Sequence, residues 1–374
     1  MRRELSEVTI TNEAFIPMIL RLFPRLEHPF DKAGYKKIVE LEYNEIKEKF
    51  NLLPKMTQPG ATGDREKEFT RFLQGMVRTA SFYKKNNGAE NRVWTSDFLP
   101  LDLCKRSGEP RKPDILVLSP SAINAIFRGN GGRLDMKHVD LILEIRTDTV
   151  TTWTELLDEV TEKAISIFRS QLNRRFVVSL SMIQTMCILS LYNRSGIIHS
   201  MPFDINKHPS FFIYILLSIT FGPPSLIGYD PSFNTGYGYG DCSISVDRKV
   251  YKLERTCWQS YSIDGRGTQC FVVSAEGTYH VVKDVWIVTK RKPTELYFYK
   301  KANGARVRNI LYLEAFENVI VNSKNDCCEI GDGEIKLTSR LHRRYLFRDY
   351  CVPLWYFQSQ LELFSAFIDY LIGS

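Results

Sequence analysis

The stretch Asp230–Asp241 (DPSFNTGYGYGD) is the feature that most constrains the fold, because it is too rich in Gly, Pro, Ser and Asn to continue a helix or a buried strand. Long apolar runs and helical periodicity stand before it; short alternating segments stand after it. A chain of 374 residues is long enough for two cores. The break therefore divides it into a domain over 1–230 and a second over 231–374. The GYGYG within the break resembles a phosphate cradle only in composition, since no helix-forming run follows it.

Within 1–230, Tyr35–Phe50 carries Ile38, Leu41, Ile46 and Phe50 among charges and predicts an amphipathic helix. Asp64–Tyr83 predicts a second, with Phe69, Phe72, Leu73, Met76 and Val77 on one face. Asp114–Ser119 and Val139–Arg146 read as strands separated by the Gly-rich Arg128–Arg133. A helix over Thr151–Gln171, capped by Thr151 or Thr152, comes next. Arg175–Leu180, Met186–Tyr192 and Gly196–Met201 read as strands, the last two joined by a turn at Asn193–Gly196. Phe211–Phe221 (FFIYILLSITF) is too short to span a bilayer and reads as a buried helix.

Beyond the break, strands are expected at Cys242–Asp247, Tyr261–Asp264, Cys270–Ser274, Tyr279–Val285, Ile310–Phe316 and Glu334–Leu337, and a helix over Gln358–Leu371. The whole is an α+β chain, an α/β domain followed by a small antiparallel sheet with one or two helices. Ile263-Asp264-Gly265-Arg266-Gly267-Thr268 lies between two expected strands, and Lys283 follows within Val281-Val282-Lys283. Glycines in such a turn let backbone approach nucleotide phosphates without a Cβ in the way, and a neighbouring strand lysine can reach the α- and β-phosphates. Glu295, at the start of an expected helix, is placed to pair with Lys283.

From Arg175 onward the sequence resembles the fungal-specific protein-kinase-like family. The stretches that carry the likeness are Asn173–Val178 (NRRFVV), Asn193–Ser200 (NRSGIIHS), Pro202–Asn206 (PFDIN), Gly265–Thr268 (GRGT), Val281–Trp286 (VKDVW by its last five), Arg348–Tyr350 and Leu361–Leu363. The resemblance implies that residues 1–230 are an accessory domain and 231–374 a kinase small lobe. It places a hinge near Arg348–Pro353 and reads the last helix as the first of the large lobe. It implies ATP held by Gly265, Arg266, Gly267, Thr268, Lys283 and Glu295, and phosphorylation of protein. The family continues into an H-R-D catalytic loop and a metal-binding D-F-G, which these 374 residues do not contain; Leu341-His342-Arg343-Arg344-Tyr345 lacks the aspartate. The expectation is a truncated or degenerate, pseudokinase-like chain with no catalytic residue of its own and ATP binding weak or lost; magnesium is left open.

A second constellation lies earlier. Pro113-Asp114 opens one strand and Glu144-Ile145-Arg146 closes another, a pattern similar to that of PD-(D/E)XK nucleases. Two carboxylates on adjacent strands can share a divalent metal, Glu66 or Glu68 could add a ligand, and Arg146 stands where that pattern has lysine. The alternative reading is thus a metal-dependent nuclease on Asp114, Glu144 and Arg146. A third is a catalytically silent interaction module, with a protein partner covering exposed cleft and helix surface.

Charge and cysteine content exclude little but point one way. A net charge of +7 without a long Lys/Arg run gives no reason to expect a nucleic-acid partner. The eight cysteines form no CxxC pair, so reduced thiols rather than zinc are expected. The N-terminus has no apolar run of signal-peptide type, and an intracellular location, cytoplasmic or nuclear, is expected.

Overall fold

A strand that is buried along nearly its whole length needs a partner on each edge, and Val139–Arg146 (VDLILEIR), buried at every position but the last, has both. The computed structural model describes residues 7–10, 30, 32–55, 62–84, 91–97, 113–128, 134–147, 150–234, 242–260, 262–307, 310–321, 323–328, 338–350 and 356–373. The chain splits into two compact units, Met1–Asp230 and Pro231–Ser374.

In chain order the first unit runs β1 (Glu7–Ile10), α1 (Lys32–Glu42), α2 (Thr62–Phe82), β2 (Val93–Thr95), β3 (Ile115–Leu118), α3 (Pro120–Arg128), β4 (Val139–Arg146), α4 (Trp153–Ser170), β5 (Phe176–Ile183), β6 (Met186–Asn193), β7 (Gly196–Ser200) and α5 (Pro209–Phe221). Its sheet has the order β1-β7-β6-β5-β4-β3-β2, with Phe203–Asp204 also pairing β6. Neighbours are antiparallel except β1 with β7 and β4 with β5. The β4–β5 pair is parallel because α4 carries the chain back between them, and α4 starts on a capping box in which Thr152 and Glu155 each satisfy the other's backbone N–H. α5 is buried on nearly every side, as its unbroken apolar sequence requires.

One expectation for this unit is corrected, and one element was not anticipated. The helix begun at Tyr35 does not reach Phe50: α1 stops at Glu42 and a tight hairpin pairs Tyr43–Asn44 with Lys49–Phe50. The hairpin leaves Ile46 96% exposed at its tip and drives Phe50 into the core, edge-on to Phe72 and Phe212. Helix α3 lies before the Gly-rich segment, where no element was expected, and starts with the Ser119 hydroxyl accepting from the Ala122 N–H. Most of the Gly-rich Arg128–Arg133 lies outside the described residues, as does the whole of GYGYG, Gly236–Gly240.

The second unit contains β8 (Ser243–Val246), β9 (Lys249–Gln259), β10 (Gln269–Ala275), β11 (Thr278–Val288), α6 (Glu295–Gly304), β12 (Leu313–Asn318), β13 (Arg340–Phe347) and α7 (Gln360–Gly373). The sheet order is β8-β9-β10-β11-β13-β12, all antiparallel, with Phe233–Asn234 beside β8 and Cys327–Cys328 beside β13. Odd residues of β11 (Val281, Lys283, Val285, Ile287) face the side of α6, where Val285, Leu313, Tyr345 and Phe347 form a core with Leu296 and Tyr299. Two further corrections fall here. β9 was not anticipated, and Ser262–Asp264 forms a bend where a strand was expected. The strand expected at Glu334–Leu337 lies outside the described residues. On α7, Leu361, Phe364, Phe367, Ile368 and Leu371 are exposed.

The first unit closes through Arg174 and Arg175. The Arg174 guanidinium donates to the Ile227 carbonyl at 2.5 Å and stacks over the Tyr229 ring at 3.9 Å; Arg175 donates to the Ser225 and Tyr229 carbonyls. The segment they grip turns at Gly228, whose φ of +107° suits glycine and whose added Cβ would lie 1.9 Å from the Phe176 carbonyl oxygen. Gly228→Ala is therefore expected to destabilise this unit by roughly 2–4 kcal/mol, read as a lower urea midpoint with unchanged slope. A change below about 0.5 kcal/mol would mean that the turn relaxes freely.

Candidate functional site

Strand alternation places the residues of the VKDVW motif on opposite faces of β11. Lys283, opposite Cys270 on β10 and Tyr345 on β13, extends toward α6. Thr294 caps α6 by accepting from the Tyr297 N–H, which sets Glu295 in its first turn. There Glu295 Oε1 receives the Lys283 ammonium and, at 2.8 Å, the Tyr299 hydroxyl, while Oε2 pairs with the Arg266 guanidinium. Burial by itself would raise the Glu295 pKa. The hydrogen bond and charge of Lys283, with Tyr299 and Arg266, hold it below the usual carboxylate range.

The glycine turn comes to the same place. Gly265 and Gly267 both have positive φ, +117° and +49°, and the Arg266 carbonyl between them accepts from the Trp286 N–H at 2.7 Å. The Thr268 carbonyl accepts from the Ser260 N–H at 2.9 Å, closing the loop between β9 and β10. The structure thus brings Arg266, Lys283 and Glu295 into one charged cluster beside the glycine turn. The open space at the Gly265 Cβ position and the Lys283 ammonium on this side of the sheet fit a phosphate-bearing ligand.

The even residues of the motif do something else. Asp284 is buried beneath β11, where His342 Nε2 meets its carboxylate at 2.9 Å and Arg344 Nε at 3.0 Å. His342 Nδ1 meets Asp326 at 2.9 Å, and the Trp286 ring stacks on the imidazole with centroids 4.4 Å apart. Burial alone would depress the His342 pKa, but the two carboxylates more than offset that and raise it to about 9. The His-Arg-Arg segment that superficially matches a catalytic loop is thus part of strand β13.

In the first unit, Asp114 and Glu144 come together as the pattern requires. The Asp114 Oδ2 atom accepts from the Ile145 N–H at 2.7 Å and from Arg146 Nη1 at 2.8 Å. The same nitrogen donates to the Ile145 carbonyl at 2.9 Å and stands 3.8 Å from Glu144 Oε2. Two residues of α4 that were not singled out in the sequence join them: Lys163 meets Glu144 Oε1 at 2.6 Å and Glu159 at 2.8 Å, and Glu159 meets Arg146 Nη2 at 2.5 Å. The signal was readable. Lys163 sits on the same α4 stripe as Leu156, Val160, Ala164 and Ile167, where a lysine needs a buried partner. Burial and the Asp114 charge push the Glu144 pKa up to about 8 against the pull of Lys163. Of the two α2 candidates, Glu68 is exposed and Glu66 half-buried. Among the described residues, no three Asp, Glu, His or Cys side chains gather as a metal cage.

A lysine on a central strand of an antiparallel sheet, paired with a helix glutamate and flanked by a glycine turn, is the arrangement of a kinase-like α+β fold. The model of one family, described as fungal protein kinase, matches residues 112–332, more than half of the chain, and the chain belongs to that family. No curated protein and no solved structure matches it. Among the described residues no helix is long and apolar enough to cross a membrane.

The ionic cluster behind β11 has a pH signature. Because the folded pKa of His342 is about 9 against an ordinary 6.5, its contribution is fully present below about pH 6.5 and is lost as pH rises through 9. Stability of the second unit is expected to fall by on the order of 3 kcal/mol across that window, and His342→Gln to flatten the slope, both read by urea unfolding. An unchanged slope in the variant would rule out the pairing.

Proposed function

We propose that residues 231–374 form the nucleotide-holding part of a protein-kinase domain, and that this chain alone holds ATP weakly without transferring its phosphoryl group. The observation that carries the reading is the convergence of Lys283 and Arg266 on Glu295 beside two positive-φ glycines. Lys283 and the backbone of Gly265, Arg266, Gly267 and Thr268 would hold the phosphates, and Glu295 would keep the lysine in place. ATP, when bound, supplies the transferable phosphoryl group. Transfer itself needs an aspartate to accept the substrate hydroxyl's proton and groups to hold magnesium, and no H-R-D or D-F-G sequence occurs in these 374 residues.

A second reading concerns the first unit, a divalent-cation-dependent phosphodiesterase of nuclease type. It is favoured by the surroundings of Arg146 Nη1. That charged nitrogen lies among Asp114 Oδ2, the Ile145 carbonyl and Glu144 Oε2, at 2.8, 2.9 and 3.8 Å, which is the oxygen set a hard divalent cation takes.

Each reading has its own assay. ATP is expected to raise the thermal midpoint of the chain by a few degrees, and Lys283→Met to weaken that affinity at least about tenfold. An identical shift in the variant would sink the kinase reading. Manganese-dependent cleavage of supercoiled DNA, lost in Asp114→Asn, would establish the second. Cleavage surviving that substitution would trace the activity to something else.

A further inference from the structure

The cluster around Arg146 holds more charge than the second reading uses, and the role inferred for it rests on that reading. Asp114, Glu144 and Glu159 face Arg146 and Lys163, three carboxylates against two cations. The two cations are held in different ways. Lys163 is 4% exposed, lies on the apolar stripe of α4 and is clamped between Glu144 and Glu159. Arg146 is 23% exposed at the end of β4, and its two terminal nitrogens bond different partners. Nη1 reaches the Asp114 and Ile145 oxygens; Nη2 reaches Glu159.

A second observation points to a ligand. Glu144 is 0% exposed, and its Oε2 atom makes no hydrogen bond while facing Arg146 Nη1 at 3.8 Å. A carboxylate oxygen buried without a hydrogen bond is costly, and a cation placed closer than the arginine nitrogen would relieve it. Burial and the Asp114 charge hold the Glu144 pKa up at about 8, so an entering dication would take the place of its proton as well as of the Arg146 nitrogen.

We propose that Arg146 is a self-inhibiting plug in the cation position, and that Lys163 of α4 is the fixed cation of the site. When Mg²⁺ or Mn²⁺ enters between Asp114, Glu144 and the Ile145 carbonyl, Nη1 gives up Asp114 while Nη2 keeps the side chain on Glu159. Arginine suits a plug because it stays charged, matches carboxylates with a fork of donors, and cannot serve as a base. Lys163, carried on α4 and clamped between Glu144 and Glu159, would take the positioning task that residue 146 of the pattern has, holding those carboxylates about the cation and lending the site its fixed positive charge. The substrate class is a phosphodiester. The water oxygen forms the new P–O bond, the ester P–O bond breaks, the water loses one proton to solvent, and the departing oxygen takes one up.

Manganese titration calorimetry on the full chain, with cleavage of bis(p-nitrophenyl) phosphate and supercoiled DNA, tests this. Removing a unit charge about 4 Å from the cation should matter strongly, so Arg146→Gln is expected to tighten Mn²⁺ binding at least about tenfold. Lys163→Met is expected to keep Mn²⁺ binding and lose cleavage at least about a hundredfold, with Lys163→Arg partly restoring it. Mn²⁺ binding in a Lys163 variant itself reports that the site has folded. If the wild-type chain binds Mn²⁺ through Asp114 but Arg146→Gln binds no tighter, the plug is wrong and the second reading stands. If neither chain binds Mn²⁺, both fall. Cleavage that survives Lys163→Met removes the assignment of Lys163. Binding by every chain without cleavage by any overturns the hydrolytic role.

Discussion

Asp284 is the carboxylate on which the second unit depends. It is buried, it faces away from α6, and it is the shared partner of His342 and Arg344 on the neighbouring strand β13. Because side chains alternate along a strand, anchoring Asp284 and Trp286 below β11 leaves Lys283 no choice but to rise on the face of α6. A register slip of one residue would bury the lysine and expel the aspartate, so the buried network and the charged site above it are two consequences of one register. The same pairing sets β13 against β11, which in turn fixes Tyr345 and Phe347 beneath Tyr299.

Both units use buried charge to fix position more than to gain free energy. A buried ion pair contributes little net stability when weighed against an apolar replacement of equal volume, but losing one partner is severe. Arg92 with Asp140, and Arg174 with the carbonyls of Ile227 and Asp140, illustrate this in the first unit: each pairing ends on a specific acceptor, and the strands they join could not slide without breaking it. The Glu144 cluster differs in one respect. It contains a carboxylate oxygen with no hydrogen bond, where the Asp284 network has each carboxylate paired.

Much of this was legible in the residues, and the failures have local causes. β4 and α4 were readable to within a residue or two because their patterns are unambiguous, a short β-branched and leucine-rich run and a capped helical stripe. β9 was not, since its ladder with β10 shifts register twice, between Leu253 and Arg255 and between Thr256 and Trp258. Each bulge turns the following side chains over, so the alternation that marks a strand is lost in KVYKLERTCWQ. The hairpin at Tyr43–Phe50 was misread because its spacing of apolar residues also suits a helix; only packing of Phe50 on Phe72 and Phe212 decides. At the candidate sites, Lys283 with Glu295 and Asp114 with Glu144 could be paired from order and spacing. The particular partners of Lys163 and Glu159 could not, because they are set by how α4 crosses the sheet.

The stretches by which the family is recognised serve mostly architecture. Arg174 and Arg175 clamp the Ser225–Tyr229 segment, Arg194 stacks on Phe168, and Gly196 takes a φ of +141° at the first position of β7. Asn206, at the end of PFDIN, accepts from the Tyr43 hydroxyl and the Phe50 N–H and so holds the hairpin that no local signal predicted. Their roles are met within the fold itself: the arginines and Asn206 satisfy buried polar groups, and Gly196 supplies a backbone angle that other residues rarely adopt. Arg266, Lys283 and Glu295 in the second unit, and Asp114, Glu144, Arg146, Glu159 and Lys163 in the first, are the charged groups on which the two proposals rest; Arg266 is half-exposed, whereas Glu144 and Lys163 are a buried pair that stays balanced only while both are present. A substitution series meant to find function belongs at those eight positions, with stability measured beside activity, because at a buried pair the two losses arrive together.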